Sequence, residues 1–131
     1  MATKKIFFLF SMLFCFYGTN VMAFELENAD GVTISYNDIN NGSELEVAKI
    51  VSGLNGSVEI PEEVTYNDLT RKVTSIGSWA FYKSKDLISV TIPNSVTRIG
   101  DGAFYECINL TSVTIPNSVA SIGDYAFAYC I

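Results

Sequence analysis

Residues 87–108, LISVTIPNSVTRIGDGAFYECI, are written again at residues 110–131 as LTSVTIPNSVASIGDYAFAYCI, with 16 of 22 positions identical at a shift of 23. A weaker copy, VTSIGSWAFYKSKD at residues 73–86, matches residues 96–109 at 7 of 14 positions. No other feature constrains the fold as much. A fixed period in the twenties means that each copy is one supersecondary unit, unable to bury its apolar face alone, which stacks on its neighbours.

Each copy carries an extended segment in which Leu87, Val90 and Ile92 have LxxLxL spacing. Val90 and Ile92 face one side of a strand, and Ser89 and Thr91 face the other. Pro93, lacking an N–H, ends the ladder. Asn94 and Ser95 then turn the chain, Val96 and Ile99 return inward, and Gly100 is expected to permit a tight bend. Ala80-Phe81, Ala103-Phe104 and Ala126-Phe127 pair a small residue with a large aromatic, predicting three stacked phenylalanines. Val58, Ile60 and Pro61 match Val90, Ile92 and Pro93, so the pattern spans residues 53–131. Between Pro61 and Val73 nine extra residues intervene, and β-formers on both sides of Asn67-Asp68 predict a hairpin insert at about residues 62–72.

Residues 24–52 hold no repeat. The Asp30-Gly31 and Asn41-Gly42 turn signals separate alternating segments, read as an antiparallel strand cap that closes the first copy. Before it, Lys4 and Lys5 precede an apolar run at residues 6–18 and then Val21-Met22-Ala23. This reads as a secretory signal peptide over residues 1–23, cleaved after Ala23, with an apolar core too short for a membrane span. Bulky Phe14 before Cys15 argues against a lipidated cysteine. No membrane insertion is expected once the signal is removed.

The string L-x-S-V-T-I-P-N-S-V-x-x-I-G-D-x-A-F-x-x-C resembles the BspA-type leucine-rich repeat of bacterial surface antigens. The resemblance covers residues 53–131 and implies a β-rich repeat solenoid, a right-handed superhelix with its short LxxLxL strands in one parallel sheet. It also implies export to the cell surface and a role in adhesion, binding host matrix proteins or neighbouring bacteria. Ile131 stands in the phase of Ile108, one residue short of a full period, and a fragment of a longer chain is expected. The three N-x-S/T sequons, at Asn41, Asn55 and Asn109, carry no weight as glycan sites in a bacterial protein.

Little in the chain speaks for catalysis. There is no histidine, which removes Ser-His and Cys-His dyads. No phosphate loop or dinucleotide fingerprint occurs, and no cofactor or metal is expected. Asp38-Ile39-Asn40-Asn41-Gly42 faintly suggests a calcium loop but lacks the later bidentate glutamate. Glu62 and Glu63 alternate across a strand; Asp101 and Asp124 share a phase, but each follows a glycine in a turn where Asp is favoured structurally. Cys107 and Cys130 share a phase about 5 Å apart. A disulfide is geometrically open to them, although Ser84 in the third copy favours free buried thiols. Residues 24–131 carry six basic and fourteen acidic side chains, net −8, which opposes nucleic-acid binding.

The positions left for recognition fall into two groups. Ser89 and Ser112 extend a row begun by Ser57, Thr91 and Thr114 extend one begun by Glu59, and Asn94 and Asn117 stand at the strand ends. The second group is aromatic: Tyr82 and Tyr105 share a phase, whereas Trp79, Tyr125 and Tyr129 are not repeated by type. Variation at an exposed phase is what a binding surface needs, and Trp and Tyr are favoured contact residues; a partly buried aromatic plug is the alternative reading. The chain is therefore read as a non-enzymatic exported recognition module. Its expected partner is an extracellular protein or glycoprotein, such as a matrix protein, or a cell-surface glycan. A carbohydrate-active enzyme on a parallel β-helix, or a spacer for a downstream domain, are the alternatives.

Overall fold

The computed structural model describes residues 23–131 and the backbone of Phe8–Leu9. Apart from those positions, the segment read as a signal peptide, Cys15 included, lies outside the described residues. The strands, in chain order, are β1 (Phe8–Leu9), β2 (Ala23–Glu27), β3 (Thr33–Ile39), β4 (Glu44–Ser52), β5 (Gly56–Glu59) and β6 (Glu63–Tyr66). They continue with β7 (Leu69–Ile76), β8 (Leu87–Thr91), β9 (Arg98–Ile99), β10 (Ser112–Thr114) and β11 (Ser121–Ile122). Among the described residues there is no α-helix, and no helix long and apolar enough to cross a membrane.

Two sheets result. β5, β8 and β10 pair in parallel with Val58, Val90 and Val113 side by side, the arrangement the repeat phase predicts. The second sheet runs β1-β2-β3-β4-β7-β9-β11, with β6 also pairing with β7. Pairing is antiparallel from β1 to β4 and parallel from β4 through β7 and β9 to β11. Each repeat thus contributes a strand to two sheets rather than one, because the chain that turns inward at Val96 goes on to pair through Ile99 in the short strand β9. β4 is the joint, antiparallel to β3 and parallel to β7, so the non-repeating strands share a ladder with the repeats.

The LxxLxL spacing requires an irregular strand. Leu87 and Val90 are both buried although three residues apart, which a period of two forbids. The ladder resolves this by pairing Gly56 with Leu87 and Ser57 with Ser89, leaving Ile88 as an extra, exposed residue.

The insert is a hairpin joining Tyr66 to Leu69, with Asn67 and Asp68 both at positive φ (50° and 60°) as a two-residue type I′ turn needs. It packs on the first strands: the Tyr66 ring stacks nearly parallel on that of Phe24, with centroids 4.3 Å apart. Arg71 sits 5.4 Å from the Phe24 centroid and forms a partly buried ion pair with Asp38. The Asp38 carboxylate of the faint calcium pattern is therefore engaged by a guanidinium.

Phe81, Phe104 and Phe127 stack at centroid separations of 4.7 and 5.0 Å, and the first two are fully buried. Gly100 has a different reason from the tight bend expected of it. It does not adopt the left-handed region; instead, a Cβ there would lie 2.5 Å from the backbone nitrogen of Ser78 in the preceding copy. Gly123 meets Asp101 in the same way, so glycine at this phase lets adjacent copies close on one another.

Candidate functional site: an aromatic groove on the turn side

The segments 79–84, 102–107 and 125–130 leave the second sheet as tight, repeated turns with alternating backbone donors. Ala103, Tyr105 and Cys107 donate within their own copy to Gly100, Gly102 and Phe104. Gly102, Phe104 and Glu106 donate instead to Asp124, Ala126 and Ala128 of the next copy, at 2.7–2.9 Å. Trp79, Phe81 and Lys83 repeat the pattern onto Asp101, Ala103 and Tyr105. Every second amide is thus tied across the copies, which fixes each turn over its neighbour.

This geometry places two positions per copy at left-handed backbone angles. They are Trp79 (φ 62°), Gly102 (58°) and Tyr125 (59°) at one phase, and Lys83 (56°), Glu106 (56°) and Tyr129 (60°) at the other. Five of the six are not glycine, although a side chain in this conformation costs about 1–2 kcal/mol per residue. Both phases change from copy to copy, as do the neighbouring phases of Tyr82, Tyr105 and Ala128 and of Ser84, Cys107 and Cys130. Trp79, Tyr125 and Tyr129 are 50%, 71% and 61% exposed, so burial does not account for them.

Together with Tyr82 and Tyr105 they line an open groove of about 700 Å³, to which Glu106 adds the one carboxylate. Tyr105 is the hub, its ring centroid 5.6 Å from Trp79, 6.0 Å from Tyr82 and 5.2 Å from Tyr129. Trp79 and Tyr82 meet edge to face at 5.6 Å and 87°. Gly102 makes the arrangement sterically feasible: a Cβ there would lie 2.3 Å from the Trp79 ring. The indole of one copy occupies the space that the next copy leaves empty. At the groove's side the Lys83 ammonium stands 5.0 Å from the Tyr82 centroid and 3.5 Å from Glu106. The Tyr82 phenol, and then the Glu106 carboxylate, raise the Lys83 pKa above its ordinary value. Tyr105 is raised too, first by burial among the rings and then by Tyr129 and Glu106, so its phenol stays neutral.

All five aromatics singled out in the sequence, Trp79, Tyr82, Tyr105, Tyr125 and Tyr129, meet in this groove. The polar candidates do not join them. Ser89, Thr91, Ser112 and Thr114 form rows on the β5-β8-β10 sheet, with Asn94 and Asn117 in the turns beyond, and none lines the groove. Within its row Ser89 donates to the Ser57 hydroxyl at 2.8 Å, one strand bonding the next. Sequence reasoning passed over Lys83, Glu106 and Gly102. The available signal was phase: Gly102 falls between Trp79 and Tyr125, and Glu106 between Lys83 and Tyr129.

The remaining candidates take structural parts. The Asp101 carboxylate accepts the Asp124 amide at 2.9 Å across the copies. Cys107 and Cys130 are free thiols rather than a disulfide, donating to the Phe81 and Phe104 carbonyls at 3.0 and 3.1 Å. Burial pushes the Cys107 thiol up to about 11 and raises that of Cys130.

In-register parallel strands repeating every 23 residues, over a buried ladder of Leu, Val, Ile and Phe, define a leucine-rich-repeat protein. Residues 61–131 match the BspA type Leucine rich repeat region, in 6 copies, and the chain belongs to that family. It is similar in structure to a leucine-rich repeat protein from Bacteroides ovatus, at 38% identity and TM-score 0.69 over 74% of this chain and 26% of that one. A leucine rich cell surface protein from Faecalibacterium prausnitzii aligns at 32% identity and TM-score 0.70, over 86% of this chain and 29% of that one. A leucine-rich repeat protein from Bacteroides capillosus aligns at 28% identity and TM-score 0.66, over 72% of this chain and 69% of that one. The chain thus spans little more than a quarter of the first two proteins. No curated protein sequence matches it.

Proposed function

We propose that this protein is an exported, non-catalytic recognition module whose aromatic groove engages an extracellular protein or glycoprotein, as an adhesin does. Residues 1–23 act as its signal peptide, and the repeats wind as a right-handed solenoid that displays the groove. The observation that carries the reading is the set of bulky side chains held at left-handed positions facing solvent. Strain retained at exposed, variable positions points to function, because these rings pack only on one another at the surface and half or more of each stays open to solvent. Membership of a surface-protein repeat family and likeness to a cell surface protein support export. Display of many copies would strengthen weak individual contacts through avidity.

The test is binding of the purified protein to immobilised matrix glycoproteins and cell-surface glycans, beside the double variant Trp79→Ala/Tyr82→Ala. The variant is expected to lose affinity about tenfold or more while melting as a folded protein. Undiminished binding by a folded double variant would rule out the groove.

A further inference from the structure

Resting on that reading, we propose that the groove takes a cationic side chain, the ammonium or guanidinium of a basic peptide segment on the partner. The groove already shows how it treats such a group. The Lys83 ammonium, on a backbone held in the left-handed region, sits beside the Tyr82 ring and the Glu106 carboxylate. This is the pair of features that holds a cation in an aromatic site: negative ring faces and one acid. Lys83 is an internal stand-in, and a displaceable one, since its side chain is 47% exposed and its contact to Glu106 is long at 3.5 Å.

The lining favours a cation over a sugar. A glycan site sets amides and acids around a stacking ring to bond successive hydroxyls, whereas the polar side-chain groups lining this groove are one carboxylate, the phenols and the Trp79 indole N–H, with no side-chain amide among them. The Ser and Thr rows that could serve hydroxyls stand on the β5-β8-β10 sheet, and Asn94 and Asn117 in the turns beyond it. Rings at 87° and 65° to Trp79 offer π surface from more than one direction, which suits a compact cation better than a flat sugar. The whole chain, at net charge −6, attracts basic partners.

Trp79 is the single tryptophan, so its fluorescence reports on the groove directly. The protein is titrated with a blocked hexalysine peptide, and with hexaglutamate as the opposite probe. Hexalysine is expected to give a saturable change that weakens with salt, and hexaglutamate none. Glu106→Gln is expected to weaken hexalysine about tenfold. Glu63→Gln, an equal charge change at an exposed position of β6, should alter it little. Lys83→Ala should tighten hexalysine binding, because the competing ammonium is gone. Weaker binding by Lys83→Ala, or equal losses in Glu106→Gln and Glu63→Gln, would overturn the assignment. Glycoprotein binding that needs Trp79 and Tyr82, with no response to hexalysine, would overturn the cationic ligand alone and leave the recognition role standing.

Discussion

The β5-β8-β10 sheet and the turns at 79–84, 102–107 and 125–130 belong to the same repeats, yet they are built on opposite terms. On the sheet the copies agree: S-V-T recurs at residues 89–91 and 112–114, the backbone is extended, and Ser89 bonds Ser57 in the next strand. On the turns the copies disagree where the backbone is most demanding, with Trp, Gly and Tyr at one left-handed phase and Lys, Glu and Tyr at the other. What repeats unchanged makes the stack. What varies, at positions the stack would rather give to glycine, makes the surface proposed to meet a partner.

The interior shared by both regions gives the largest effect. Phe104→Ala removes the middle ring of the stack, and chemical denaturation should show a loss of about 3–5 kcal/mol. A small loss would mean that the copies are not held through this spine, and the contrast between their two sides would lose its scaffold. Gly102→Ala comes next. Its methyl would enter the space of the Trp79 ring and meet the left-handed penalty, so a loss of about 2 kcal/mol is expected, with a shift in Trp79 emission. Unchanged emission would dissolve the groove as described.

Alkaline pH probes the turns from inside. Cys107 ionises near 9 when unfolded and near 11 when buried in the fold. Between those values the unfolded chain binds fewer protons, so stability falls as pH rises from 9 to 11 and is level in this respect below. Melting temperatures across that window should drop, and Cys107→Ala should flatten the slope. The smallest effect belongs to the sheet: Ser89→Ala with Thr91→Ala should change stability by about 0.5 kcal/mol or less. Affinity at the groove should not change. A clear loss of binding there would move the recognition surface to the strands.

The architecture was legible because it depends on phase, and phase is written in the sequence. Val58, Val90 and Val113 pair, and the three phenylalanines stack, because a period of 23 leaves them nowhere else to go. The hairpin at Asn67-Asp68 was legible because that turn demands two positive φ values, which Asn and Asp tolerate. The second sheet was not, since β9 and β11 are two residues long and carry no alternation to recognise. The purpose of Gly100 was hidden as well, because close approach between copies depends on atoms 22 residues away in sequence. The aromatic residues could be named from their variation. Their convergence with Glu106 and Lys83 depends on left-handed turns that bulky side chains do not advertise.

The turn side holds aromatic residues in a backbone state that glycine would occupy more easily, a cost that the proposed recognition role explains. Tyr125, 71% exposed and at φ 59°, is the position to probe. In parallel denaturant titrations Tyr125→Gly should be more stable than the parent chain by about 1 kcal/mol. Lower stability in Tyr125→Gly would show that the tyrosine is there to hold the fold, and would contradict the account.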